Sequence, residues 1–99
     1  MIDLDRFNVA CMDFEMQILM KTLPEDTCID VHPFRNEQLR DVLENILTEK
    51  ERTAVSLRFD SERRLTYKEI AKEMGVGVTR ARQLVMSSIS KVIRSDEED

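Results

Sequence analysis

Two capping boxes, Thr48-Glu49-Lys50-Glu51 and Thr66-Tyr67-Lys68-Glu69, constrain this 99-residue chain more than any other feature. In each, the threonine oxygen accepts from the third backbone amide of a helix while the glutamate accepts from the threonine's own amide. Two donors that a helix start leaves bare are thus satisfied together. Ala54, Val55, Leu57 and Phe59 follow the first box, and the second helix runs on through Ile70 and Ala71 to Met74, both at helical spacing. Leu65 precedes the second box and Ile70 follows it, the two ends of a hydrophobic staple. Only two glycines and two prolines interrupt the chain and aromatic residues make up 5% of it, a poor supply for the turns and faces of a β-sandwich. The expected fold class is all-α.

Upstream of the first box, Asn36 is placed to cap a helix whose stripe is Leu39, Val42, Leu43, Ile46 and Leu47. Downstream of the second, Gly75-Val76-Gly77 separates the Met74 helix from a long pattern of Ala81, Leu84, Val85, Ser88, Ile89 and Val92. That arrangement reads as a helix-turn-helix. Ala71 and Ala81 are small where two helices cross closely, Gly75 is free to take positive φ at the turn, and Ile70, Met74, Val76 and Leu84 fill the space between.

In such a motif the second helix presents Gly77, Val78, Thr79, Arg82, Gln83 and Met86 outward. Arg82 is suited to guanine O6 and N7, Gln83 to adenine N6 and N7, and Val78 or the Thr79 methyl to a thymine methyl. Arg80, Arg94, Arg63, Arg64 and Lys68 suit phosphate, the last three around the amino end of the preceding helix, where backbone amides also favour anions.

The formal charge of −5 hides a partition. Residues 1–35 hold three basic and seven acidic groups, residues 36–94 hold twelve and nine, and residues 95–99 hold four acids. From residue 77 to residue 94 there are four bases and no acid, so a polyanion has its best landing place there. The expected organisation follows the same boundaries: an N-terminal helix and connector (1–35), the helix-turn-helix domain (36–94), and an acidic tail (95–99). The tail reads as a disordered solubility segment, or as a competitor of DNA for the basic helix.

Within residues 1–21, Leu4, Phe7, Cys11, Phe14 and Ile18 line up on one side of a helix. Val9, Met12, Met16, Leu19, Met20 and Leu23 form a second apolar strip roughly 150° away. One strip covers the domain. The second, rich in flexible methionine, is either more core or a surface for a second copy or another protein, with Val9, Met12, Met16, Leu19 and Met20 as the candidate contacts. Leu23-Pro24 ends the helix, and residues 22–35 read as a structured loop.

No catalytic set appears: there is no Ser-His-Asp candidate, no glycine-rich phosphate loop and no HExxH. An enzyme is not expected, nor a cofactor. Cys28 and His32 have a tolerable ligand spacing, but His32 is the sole histidine and no CxxC exists, so no structural metal is expected and Cys11 and Cys28 read as reduced thiols. No apolar run reaches the roughly 18 residues of a membrane span, and the first residues are acidic rather than signal-like, which points to the cytoplasm.

The stretch Leu47-Thr48-Glu49-Lys50-Glu51-Arg52 through Leu57-Arg58-Phe59, then Leu65-Thr66-Tyr67-Lys68-Glu69-Ile70-Ala71, Arg82-Gln83 and Lys91-Val92-Ile93-Arg94, resembles region 4 of the sigma-70 family of bacterial RNA polymerase initiation factors. The resemblance covers residues 36–94. It implies recognition of the promoter −35 element by the last helix, with Arg82 and Gln83 matching family contacts, and docking of the earlier helices on the flap of the polymerase β subunit. Val78 and Thr79 stand where the family has an Arg-Glu pair, and Gly77 where it has a threonine, which implies an altered recognition sequence or weakened DNA binding. Residues 1–35 do not resemble the sigma region that reads and melts the −10 element.

Two readings follow. The first is a small stand-alone regulator, of the type expected of phages and mobile elements, that binds double-stranded promoter DNA at the nucleoid and touches host RNA polymerase. The second is a protein-binding module that occupies the β flap or a sigma factor with little DNA contact. A homodimer through the second apolar strip is compatible with either.

Overall fold

A computed structural model describes residues 2–22, 32–63 and 65–97. Both capping boxes form. Thr48 Oγ1 accepts from the Glu51 amide at 3.2 Å while Glu51 Oε1 accepts from the Thr48 amide at 3.0 Å. At Thr66 and Glu69 both distances are 3.2 Å. Helices α3 (Glu49–Arg58) and α4 (Tyr67–Met74) start directly after their caps. They are joined by α1 (Leu4–Thr22), α2 (Asn36–Asp41), which runs into a wider π turn (Val42–Ile46), and α5 (Val78–Glu97). Among the described residues no strand is present beyond one isolated bridge between Ile2 and Asp60, and the fold is all-α.

Helix α5 is the axis of the fold, packed by α3, α4 and α1. The main core joins Phe7 and Cys11 of α1 to Leu39, Val42, Leu43 and Leu47, to Ala54, Val55 and Phe59, and to Leu84, Val85, Ile89, Val92 and Ile93. A smaller cluster of Leu65, Ile70, Ala71 and Ala81 locks α4 against α5, and it contains both ends of the expected staple.

Helix α1 is part of this body rather than an appendage. Phe7 is fully buried with its ring centroid 5.2 Å from that of Phe59. The Asp3 amide donates to the Phe59 carbonyl (2.7 Å) and Arg6 Nη1 to the Asp60 carbonyl (3.1 Å). Asn8 closes a double hydrogen bond with the Phe34 backbone, donating to its carbonyl at 2.8 Å and accepting from its amide at 3.0 Å. The Leu4, Phe7, Cys11, Phe14 strip thus faces inward, with Ile18 still 42% exposed at its far end. Burial, with the charge of Glu15 adding to it, pushes the Cys11 thiol up to about 12, so it stays protonated and inert.

Three expectations need correction. Asn36 does not cap α2: it is the first helical residue, and Arg35 holds the cap position without a side-chain bond. The reason is that Asn8 pins the preceding Phe34, so the first helical bond runs from the Leu39 amide to the Arg35 carbonyl. The helix expected through Leu47 ends in the π turn, closed by the Leu47 amide on the Val42 carbonyl at 2.9 Å. Arg52 satisfies acceptors there, donating to the Leu43 (2.6 Å) and Glu44 (3.0 Å) carbonyls. The tail is helical through Glu97, because Ser95 Oγ donates to the Val92 carbonyl and accepts from Gln38 Nε2. The expected loop over residues 23–31, with Leu23 and Cys28, and the last two residues of the tail lie outside the described residues.

Candidate nucleic-acid interface

The turn between α4 and α5 is set by Gly75, whose backbone sits at φ 70°, ψ 33°. An ideal Cβ there meets no atom within 4 Å, so the demand for glycine is conformational, about 1–2 kcal/mol for another residue type, and not steric crowding. The Val76 amide reaches back to the Ala71 carbonyl (3.0 Å), closing the α4 terminus in a Schellman-type turn. Ala71 is 5% exposed and Ala81 fully buried, so the two helices meet over methyl groups. The helix-turn-helix is formed as expected.

This geometry leaves Val78, Thr79, Arg80, Arg82 and Gln83 exposed, Val78 at 50%, with Met86 half-buried below them. Positions 78, 79, 82, 83 and 86 share an arc of roughly 140° at 100° per residue, a face one groove can accept. Further along the same side, Ile89 and Ile93 are buried, because α1 lies over them with Phe14 and Ile18. The open face of α5 is therefore its first three turns.

The family model for sigma-70, region 4, matches residues 45–92, just under half of the chain, from the end of the π turn through most of α5. Residues 45–92 are a sigma-70 region-4-like domain. No curated protein and no solved structure gives a match. The family is one of non-enzymatic, DNA-binding helix-turn-helix domains of transcription, whose general partners are DNA and RNA polymerase. Helix α1, all of α2, the first three residues of the π turn and the end of α5 lie outside the matched span.

Around the region-4-like domain the expected phosphate contacts are only partly gathered. Lys68 is exposed on the first turn of α4, and Arg80 on the first turn of α5. Arg63 is paired with Glu73 at 3.2 Å, both about half exposed. An ion pair of that kind is worth little in water, so Arg63 can exchange Glu73 for a phosphate at small cost. Arg64 lies outside the described residues. Arg94 is exposed, but twelve residues beyond Arg82, about 18 Å along the helix, and it borders α1 rather than the open face.

Two residues position the site that their types alone did not single out. Arg58 lies over the Tyr67 ring, its guanidinium carbon 4.4 Å from the centroid, and Nη1 donates to the Leu65 carbonyl at 2.8 Å. It thereby clamps the segment that enters α4. Glu51 is 4% exposed and ties α3 to α5: Oε1 accepts from Lys91 Nζ (2.5 Å) and Oε2 from Ser87 Oγ (2.6 Å). Burial opposes its charge, but the donors from Lys91, Ser87 and Thr48 outweigh it and hold the carboxyl at about 2. Lys91 is thus spent on Glu51, and the basic stretch offers nucleic acid mainly Arg80 and Arg82. Among the described residues no group of three or more His, Cys, Asp or Glu could hold a metal ion, and no helix is long and apolar enough to cross a membrane.

Proposed function

We propose that the chain is a sequence-specific DNA-binding transcription regulator that contacts promoter DNA and host RNA polymerase, acting by recruitment and without chemistry. The observation that carries this reading is the uncovered face of Val78, Thr79, Arg82 and Gln83 on a helix held rigidly by Ala71, Gly75 and Ala81. Arg82 and Gln83 read base edges, and Val78, a half-exposed apolar group at the first turn, meets a thymine methyl. Lys68, Arg80 and Arg63 hold phosphates, with Arg64 extending the footprint. On this reading the protein works in the cytoplasm at the nucleoid and comes from a phage or mobile element. A second reading, occupation of the β flap or of a sigma factor, draws support from Val9 and Met20, each 64% exposed on α1.

The test is a pair of substitutions on a duplex selected from a random pool. Arg82→Ala is expected to cost about 1–3 kcal/mol and to relax preference at one base pair, while Lys68→Ala weakens all sequences alike and flattens the salt dependence. Fluorescence anisotropy across a salt series reads both. Equal loss on every sequence from Arg82→Ala contradicts its role in base readout.

A further inference from the structure

Along α1 the exposed side chains Asp5, Val9, Asp13, Met16 and Met20 follow one another at steps of three or four residues, so they form one stripe down the helix. Phe7 and Cys11, fully buried, take the opposite side. Beside Val9 a shallow depression of about 460 Å³ is floored by Ala10 and Phe59 and bordered by Asp5, Arg6 and Asp13. The Arg6 guanidinium is tied to the Asp60 carbonyl. Among the described residues neither Asp5 nor Asp13 has an ion-pair partner; Asp13 accepts only from Gln17, at 3.3 Å. The stripe is therefore an apolar seam of adaptable methionine with unneutralised carboxylates set in it.

We propose that this stripe docks an amphipathic helix of another protein, one with an apolar face and basic residues two turns apart. Asp5 and Asp13 are eight residues apart, about 12 Å along the axis, which matches bases seven or eight residues apart on a partner helix. The aliphatic stem of a lysine or arginine covers Val9 and Phe59 while its head reaches a carboxylate. A second copy of this chain is the poorer match at full overlap of α1. Asp13 is the midpoint of α1, so antiparallel pairing about a two-fold axis sets Asp13 against Asp13, and parallel pairing stacks each acid on itself. Nucleic acid is repelled by the same carboxylates. The stripe lies outside the region-4-like span, and the inference stands whether or not α5 reads DNA.

The experiment uses the full chain and two labelled helical peptides of about the length of α1. They share one leucine face and differ in carrying lysine or glutamate along its flanks. Anisotropy is expected to show binding of the lysine peptide, weakened by salt, and no binding of the glutamate peptide. Asp13→Lys and Met16→Glu should each weaken the lysine peptide about tenfold or more. Sedimentation equilibrium should show a monomer. Equal binding of both peptides, or binding that neither substitution changes, overturns the proposal. So does a dimer that Met16→Glu dissociates, which makes a second copy the occupant. Thermal destabilisation by Met16→Glu also overturns it, since the stripe would then be covered within the chain. Asp13→Lys, a change at an exposed carboxylate, reads the charge requirement independently of Met16→Glu.

Discussion

Phe7→Ala is expected to lower folding stability by about 3–5 kcal/mol, measured by urea unfolding followed by circular dichroism. The Phe7 ring is fully buried, packs at 5.2 Å on Phe59, and is the largest side chain that α1 contributes to the common core. Deleting it removes its transfer free energy and leaves a cavity beside Phe59 in the main core, which the packed helices can close only in part. For a domain of this size, with about 5–15 kcal/mol in total, the loss is a large share of the whole. The consequence reaches the candidate interface, because α1 also covers the lower half of the α5 face over Ile89 and Ile93. Met20→Ala, at a position 64% exposed, should change stability by no more than about 0.5 kcal/mol. A cost below about 1 kcal/mol for Phe7→Ala would show that α1 is an appendage.

The second large effect concerns Glu51. Its carboxyl is held at about 2 against an ordinary value of 4.5, so between these pH values the unfolded chain binds a proton that the folded chain does not. Stability therefore rises with pH through this window: the contribution is complete above pH 4.5 and disappears as pH falls through about 2. The shift corresponds to about 3 kcal/mol. Glu51→Gln keeps the shape but removes the charge facing Lys91, and at neutral pH it is expected to cost roughly that amount. The variant should also show a shallower loss of stability between pH 4.5 and 2 than the parent, read by urea unfolding at a series of pH values. Identical acid profiles for the two proteins would exclude Glu51 as the group responsible.

Much of this arrangement is legible in the sequence because its signals are local. A capping box states its own helix start, and Gly75 between two apolar patterns states its own turn, so α3, α4 and the helix-turn-helix follow from a few residues each. The inward strip of α1 is legible as well, since amphipathicity depends only on spacing, whereas the second strip divides: Met12 packs against the core and Leu19 is half-buried, while Val9, Met16 and Met20 stay exposed. What stayed hidden depends on partners distant in sequence. Asn8 pins Phe34 and so moves the start of α2, and nothing near Asn36 announces it. Arg52 supports the π turn from across a loop, and Gln38 holds Ser95 in what reads as a plain acidic tail. The same limit applies to the interface. Exposure of Val78, Thr79, Arg82 and Gln83 followed from helical phase, whereas the neutralisation of Lys91 by a glutamate forty residues away did not.

The central claim, that the first turns of α5 read a DNA sequence, is tested most directly by selection from a random duplex pool. Anisotropy on the enriched sequence and on a scrambled control, across a salt series, then gives the specificity ratio. The result expected is an enriched motif bound ~10³-fold tighter than the control, with Val78 and Thr79 setting the bases at one end of it. No enrichment, with weak binding that falls equally on both duplexes as salt rises, would contradict it and leave the region-4-like domain as a protein-binding module.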